Sequence, residues 1–194
     1  MANTPNVPTK VLLGVHDVRE TPPCLPETGN LSCGLVQVIN IAEVLIHDAG
    51  IDIGLIRLTE SARLREDHVY PICLPLYATL RMHMPVHVII TGWGITEKKT
   101  PSHILMKANS TVMKRGKTCP NDHEMCAGGV NLNTPCRGDT GGPYQAISKF
   151  GSSSSYVQYG IISDVPPDCL YPEKPSSGPL VAYYIDWILD RIEF

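Results

Sequence analysis

The sequence carries no excess of positive charge. Its 194 residues include 16 lysines and arginines against 19 aspartates and glutamates, for a net charge of −3. Without a basic field to neutralise phosphates, nucleic acids and anionic membranes are not expected as partners. Long hydrophobic runs are also absent, because the richest stretches, such as Val86 to Thr91, are only long enough for a strand. A membrane-spanning helix, which needs about 20 apolar residues, is therefore not expected.

Closely spaced cysteine pairs are missing. None of the seven cysteines forms a C-x-x-C pair, which argues against a redox site or a zinc ribbon. Cys119, His123 and Cys126 are near one another in sequence, and His83 and His87 are four apart. On a predicted strand, residues four apart share a face but are too distant to chelate one ion. We expect no metal site and no cofactor.

Seven cysteines are nevertheless many for a cytosolic chain of this size, so disulfides are favoured, with one cysteine left over. Two glycosylation triplets, Asn30-Leu31-Ser32 and Asn109-Ser110-Thr111, agree with passage through the secretory route. Residues 1–10 contain no apolar signal core. Either the protein is not exported or its true amino terminus precedes this sequence.

Helical periodicity is scarce before the last dozen residues. Short β-branched runs recur between turns rich in glycine and proline, which is typical of barrels or sandwiches. Ile185, Ile188, Leu189 and Ile192 follow the spacing i, i+3, i+4, i+7, which predicts one amphipathic helix at the carboxyl end. The sequence therefore predicts an all-β fold that ends in a helix.

The most specific string is Cys136-Arg137-Gly138-Asp139-Thr140-Gly141-Gly142-Pro143. Glycines on both sides of a hydroxyl residue allow backbone N–H groups to converge near a nucleophile, which is the geometry that stabilises an oxyanion. A plain glycine-rich turn is the alternative. Upstream, Asp52 precedes an apolar strand that we expect to be buried. Its carboxylate would there need a hydrogen-bonding partner such as an imidazole.

Further strings accompany these two, in the order Tyr70-Pro71-Ile72-Cys73-Leu74-Pro75, Thr91-Gly92-Trp93-Gly94, Met125-Cys126-Ala127-Gly128-Gly129 and Tyr184-Ile185-Asp186-Trp187-Ile188. Together they make the chain resemble the trypsin-like (chymotrypsin-fold, S1) serine endopeptidases, and its early cysteines resemble those of arthropod CLIP-domain proteases. The resemblance implies two antiparallel β-barrels. They would comprise an incomplete first barrel and linker at 11–75, a second barrel at 76–181 and a helix at 182–194, after an unstructured leader at 1–10.

The resemblance assigns Asp52 to the catalytic aspartate and Thr140 to the nucleophile, where serine is the rule. The family's histidine lies upstream of Leu13, and none of the seven histidines occupies that place; His47 matches a surface position. The methyl group of Thr140 would crowd the oxyanion hole formed by the Gly138 and Thr140 amides. Because a hydroxyl without its base loses several powers of ten in rate, we expect no useful peptide cleavage.

The resemblance also makes Asp139 the zymogen switch, the aspartate that a newly cut amino terminus neutralises. No such cleavage site exists in this sequence, so we expect Asp139 to stay solvated or take up a proton, with an unformed oxyanion loop. Thr134 matches the floor of the specificity pocket, and Ser163, Asp164 and Val165 match its wall. Such a pocket would not select lysine or arginine, and Val165 would narrow it.

By the same resemblance, the disulfides pair Cys24 with Cys33, Cys119 with Cys126 and Cys136 with Cys169, and Cys73 stays unpaired. We therefore expect a secreted, non-catalytic or fragmentary serine protease homologue that regulates an extracellular protease cascade through partner proteins. The alternative is an active secreted endopeptidase that acts on protein substrates and receives its histidine from sequence upstream of this chain. Without two leading strands the first barrel cannot close, and the edge near Lys10 to Leu13 should be exposed.

Overall fold

The computed structural model describes residues 8–20, 35–129, 133–150, 152–166 and 174–192. Strands dominate them: β1 (Lys10–Leu13), β2 (Gln37–Ile46), β3 (Gly54–Leu58), β4 (His87–Gly92), β5 (Met106–Thr111), β6 (Glu124–Gly128), β7 (Pro143–Phe150), β8 (Ser153–Ile161) and β9 (Pro175–Pro179). The helices are α1 (Ala78–Met82) and α2 (Ile185–Leu189), with a 3-10 turn at Val18–Glu20. The predicted all-β class with a carboxyl-terminal helix is confirmed. Among these residues, no helix has the length and hydrophobicity to cross a membrane.

Ordered structure begins slightly earlier than the sequence predicts. Strand β1 starts at Lys10, inside the segment 1–10 that was expected to be an unstructured leader. The carbonyl of Thr9 accepts a hydrogen bond from the amide of Ile41 at 2.9 Å. Backbone pairing with β2 therefore orders the end of this segment, while residues 1–7 lie outside the described part of the chain.

The chain divides into two compact units, of which the first comprises Met1–Ala49 and Gly54–Pro71. In this unit β1, β2 and β3 form an antiparallel sheet in that order. Ile39 of β2 is 4% exposed, but Val44, Ile46 and Ile56 are exposed. In the part of this unit that the structure describes, a three-stranded sheet buries little of its apolar surface.

The second unit comprises Gly50–Ile53 and Ile72–Phe194 and holds the larger core. Its four-stranded sheet has the order β5-β4-β7-β8, and β6 pairs with β9 in a second sheet. In β4, buried Val88 and Ile90 alternate with the more exposed Ile89, as the period of two predicts. The buried members of the core cluster are Leu80, Val88, Ile90, Met125, Ala127, Tyr144, Ala146, Val157, Tyr159, Ile162 and Leu180.

The closing helix is shorter than the predicted segment 182–194. Helix α2 covers only Ile185–Leu189, little more than one turn. Ile185 and Ile188 are buried, whereas Leu189 is 41% exposed. A helix of about one turn places residues i and i+3 against the core. Of the four apolar residues predicted to form one face, the first two, Ile185 and Ile188, are therefore the buried ones.

One predicted disulfide is confirmed: Cys119 and Cys126 are bonded, with a Cα–Cα distance of 5.8 Å. Cys136 is also disulfide-bonded, but its predicted partner Cys169 lies outside the described residues. The predicted pair of Cys24 and Cys33 falls outside them as well. Cys73 is a free cysteine, as predicted.

A buried hydroxyl network connects three strands of the second unit. Tyr144 of β7 and Ser176 of β9 are both 0% exposed, and their hydroxyl oxygens are 2.7 Å apart. Ser176 donates to the carbonyl of Ala127 in β6 at 3.1 Å, so Tyr144 donates to Ser176. Burial raises the pKa of the Tyr144 phenol far above its ordinary value, which keeps the group neutral and able to donate. The network thereby fixes the β6–β9 sheet against β7.

Replacing Tyr144 with phenylalanine should lower the free energy of unfolding by about 1–2 kcal/mol, because it removes one buried hydrogen bond. Tyr156→Phe is the matched control, since Tyr156 lies on the neighbouring strand β8 and is 48% exposed. It should change stability by less than about 0.5 kcal/mol. Urea denaturation of the three proteins measures both effects, and equal midpoints for the two variants would contradict a structural role for the network.

Candidate active site

The carboxylate of Asp52 is bound by a serine. The Oγ of Ser163 donates a hydrogen bond to Oδ2 of Asp52 at 2.5 Å, across 111 positions of sequence. The expectation that Asp52 begins a buried strand is wrong, because Asp52 is exposed and strand β3, at Gly54–Leu58, is largely exposed. Water can solvate this carboxylate, so burial does not oblige it to find an imidazole partner.

Ser163 also lies next to the candidate nucleophile. The Thr140 hydroxyl is exposed and points to the carbonyl oxygen of Ser163, with an O–O distance of 3.5 Å. The amide of Gly141 donates to the Ile162 carbonyl at 2.8 Å, which holds the end of β8 against the Thr140 loop. Ser163 therefore contacts the Asp52 carboxylate through its side chain and the Thr140 hydroxyl through its backbone.

Several imidazoles of the second unit have partners elsewhere. Nδ1 of His83 is 3.0 Å from the carbonyl of Thr79. Nδ1 of His87 is 3.5 Å from the hydroxyl of Thr111. The ring of His123 packs on a tyrosine with a centroid distance of 5.8 Å. None of these contacts involves the candidate carboxylate or hydroxyl.

Asp139 is held by backbone amides. Its Oδ1 accepts a hydrogen bond from the amide of Gly94 at 2.9 Å, and its Oδ2 accepts one from the amide of Cys136 at 3.0 Å. Of the two expected states, a solvated Asp139 is wrong, because the residue is half-buried on these donors, and uptake of a proton stays a prediction. A Cβ atom on Gly92 would lie 2.1 Å from Oδ1 of Asp139, and one on Gly94 would lie 2.5 Å from its carboxyl carbon. Only glycine at both positions leaves room for the carboxylate.

Two backbone hydrogen bonds hold the loop around Thr140, one from Ile95 and one within the loop. The amide of Ile95 donates to the Arg137 carbonyl at 2.9 Å, and the amide of Gly142 donates to the Asp139 carbonyl at 2.9 Å. Gly138 has a φ of +99°, in the left-handed region that a side chain disfavours. The loop is thus fixed by backbone hydrogen bonds, while the convergence of the Gly138 and Thr140 amides into an oxyanion hole stays a prediction.

The residues predicted to form a specificity pocket contact different parts of the second unit. Thr134 is buried, and its hydroxyl accepts a hydrogen bond from the amide of Gly129 at 3.1 Å. Thr134 and Asp139 line a cavity of about 240 Å³. Val165 packs against the core of the second unit, and Asp164 pairs through its backbone with β9. Their role in choosing a substrate stays a prediction.

The roles of three residues were not predicted from the sequence. Ser163 was assigned to a pocket wall and is instead the hydrogen-bond donor to Asp52. Gly92 and Gly94 were noted only as part of a motif, yet they make the space for Asp139. The Gly-Trp-Gly spacing was the available signal, since paired glycines mark close approach of another group to the backbone.

The chain matches the trypsin family over residues 28–188. "Serine protease grass" of Drosophila melanogaster is 29% identical over 94% of this chain and 53% of its own length. The crystal structure of the Drosophila Grass clip serine protease of the Toll pathway superposes with a TM-score of 0.75 at 27% identity. That superposition covers 94% of this chain and 56% of the other. It confirms the two-barrel trypsin-like fold, although the sheets of the described residues do not close into complete barrels.

Two other insect proteins are similar. "Phenoloxidase-activating factor 3" of Holotrichia diomphalia is 31% identical over 95% of this chain and 56% of its own length. "CLIP domain-containing serine protease HP8" of Bombyx mori is 29% identical over 82% of this chain and 48% of its own length. The chain therefore spans about half the length of the curated relatives that it matches.

A methyl group at position 94 should loosen the Thr140 loop. In Gly94→Ala the new Cβ would displace the Asp139 carboxylate, and we expect a loss of about 1–3 kcal/mol in stability. Hydrogen exchange at residues 136–142 should also accelerate. Gly116→Ala is the control, because its φ of +156° also disfavours a side chain but its Cβ would meet no atom within 4 Å, so this variant strains the backbone without displacing Asp139. If hydrogen exchange in the loop were unchanged in Gly94→Ala, the binding of the Asp139 carboxylate by backbone amides would not be what orders the loop.

An aspartate, a hydroxyl residue and a glycine-rich loop thus meet around Ser163 in a chain with a trypsin-like fold, and the family match covers most of its length. The chain belongs to the trypsin family of serine proteases.

Proposed function

We propose that this chain is a secreted, non-catalytic member of the trypsin family that regulates an extracellular protease cascade by binding partner proteins. The observation that carries the proposal is the pairing at the candidate active site. The Asp52 carboxylate accepts its hydrogen bond from Ser163, and the Thr140 hydroxyl faces a carbonyl of the same residue. Neither contact supplies a base that could remove the hydroxyl proton.

Peptide cleavage at this site would require a base that takes the proton of the Thr140 hydroxyl. A neutral hydroxyl is a poor nucleophile, and serine proteases depend on an imidazole that takes its proton during the attack on the peptide carbonyl. Asp52 supports such an imidazole but does not replace it, because the aspartate of a triad orients the base without accepting the proton itself. The carbonyl oxygen near Thr140 can accept a hydrogen bond but cannot serve as a base at neutral pH.

The threonine itself adds a second obstacle. Its β-methyl group restricts rotation about χ1 and occupies space next to the hydroxyl. Internal threonines also lack the free α-amino group that activates known threonine nucleophiles. Because triad members act as a unit, this change lowers an already negligible rate only slightly.

Extracellular action is supported by chemistry and by the relatives. The Cys119–Cys126 disulfide is typical of proteins that fold in an oxidising compartment. The names of two relatives refer to phenoloxidase activation and to the Toll pathway. We extend this setting to the present chain, with protease-cascade proteins as its partners.

An active endopeptidase is the second candidate, favoured by the assembly of Asp52, Ser163 and Thr140 in one place. An imidazole supplied by a polypeptide segment outside this sequence would complete the triad. The predictions that follow test the chain by itself, and the same assays on a longer polypeptide that supplies the imidazole separate the two candidates.

The purified chain should not react with a peptidyl phosphonate, a probe that labels activated hydroxyl nucleophiles, and should not hydrolyse a fluorogenic peptide panel. The reason is that the contact of the Thr140 hydroxyl in the described part of the chain, with the Ser163 carbonyl, supplies no base. Intact mass spectrometry gives the labelling, and Thr140→Ala sets the background. A covalent adduct on Thr140 that disappears in the alanine variant would disprove the non-catalytic proposal.

Restoring the family's nucleophile alone should not restore activity. Thr140→Ser removes the methyl group but adds no base, so hydrolysis of the peptide panel should stay within about threefold of Thr140→Ala. A rise of about a hundredfold or more would show that a base is present, and would favour the active endopeptidase.

The regulatory role should survive loss of the hydroxyl. Added to cell-free insect plasma, the purified chain should change the rate of phenoloxidase activation, and Thr140→Ala should change it equally, because binding does not use the Thr140 hydroxyl. Heat-denatured protein is the control for nonspecific effects. No effect of the folded chain would count against the regulatory role, and an effect lost in Thr140→Ala would indicate catalysis.

A further inference from the structure

We propose that Asn109 is a site of N-linked glycosylation and that its glycan shields the outer face and edge of strand β5. Asn109, Ser110 and Thr111 form an acceptor triplet, and all three lie within β5 (Met106–Thr111). The inference goes beyond the proposed regulatory role and does not depend on whether the site near Thr140 is catalytic.

The alternation of β5 places Asn109 and Thr111 of the triplet on the outer side of the sheet. Ser110 is 1% exposed and pairs with Val88, also 1% exposed, so this position faces the core. Side chains alternate along a strand, so Asn109 and Thr111 share the opposite face. Asn109 is exposed and lies across from Ile89 of β4. The amide that would carry the sugar and the hydroxyl required two residues later are thus both on the outer side of the sheet.

The position in the sheet gives the glycan a physical role. In the order β5-β4-β7-β8, strand β5 lies at the edge, and over its six residues it pairs only with β4 in the part of the chain that the structure describes. An edge strand with free backbone groups can pair with another chain and aggregate. A bulky, hydrated glycan on this strand hinders that approach.

The compartment is consistent with the modification. N-linked glycans are added in the secretory route, where disulfides also form. The Cys119–Cys126 disulfide follows β5 closely in sequence. The other acceptor triplet begins at Asn30, outside the described residues, and is left out of the argument.

The test is secretion of the full chain from insect cells behind a secretion signal, in an Asn30→Gln background that leaves one acceptor triplet. Peptide mass spectrometry after enzymatic deglycosylation should find Asn109 converted to aspartate. The glycan should be lost in Asn109→Gln and in Thr111→Ala. It should remain in Ser110→Ala, which keeps the triplet and removes a buried hydroxyl that has no hydrogen-bond partner. Asn40→Gln, at an exposed asparagine of β2 outside any triplet, should leave the glycan in place.

Folding is separated from modification by translating the same variants in the presence of microsomes, where the glycan is added before folding is complete. Secreted or microsomal protein with an unmodified Asn109 would overturn the assignment. Enzymatic removal of the glycan from the folded protein should lower the monomeric fraction in size-exclusion chromatography. An unchanged monomeric fraction would overturn the shielding role.

Discussion

The binding of the Asp139 carboxylate by the amides of Gly94 and Cys136 positions the Thr140 loop, together with the backbone hydrogen bonds of Ile95 and Gly141. Two glycines, Gly92 and Gly94, leave the space that this carboxylate occupies beside β4. Because the amide of Gly94 binds this carboxylate, the loop that carries Thr140 is attached to the segment that follows β4. The candidate active site therefore rests on the core of the second unit.

The fold of the second unit brings two of the candidate catalytic groups to one residue. The side chain of Ser163 donates to the Asp52 carboxylate, and its carbonyl oxygen faces the Thr140 hydroxyl. The imidazole that would connect them is absent from their contacts. Packing and backbone hydrogen bonds hold this arrangement in the described residues, and an imidazole is not needed to keep the fold stable.

The sequence predicted the parts that depend on local pattern. The strand expected at Val86 to Thr91 is present as β4, and the pairing of Cys119 with Cys126, which the family resemblance implied, is confirmed. It failed where neighbours from distant segments decide the outcome. Asp52 was expected to be buried and is exposed, because the strand after it has apolar residues but little covering it. Asp139 was expected to stay solvated or take up a proton, and its carboxylate accepts a hydrogen bond from the amide of Gly94, 45 positions away in sequence.

The sequence alone determined the family, the all-β class and the replacement of the nucleophile by Thr140, since each follows from the identity and order of residues along the chain. Tertiary structure alone decided which groups meet. The hydroxyl of Ser163 reaches Asp52 across 111 positions, and no local pattern encodes such a contact. It arises because β-sheets bring distant segments together, and their side-chain partners become defined only when strand order and register are set.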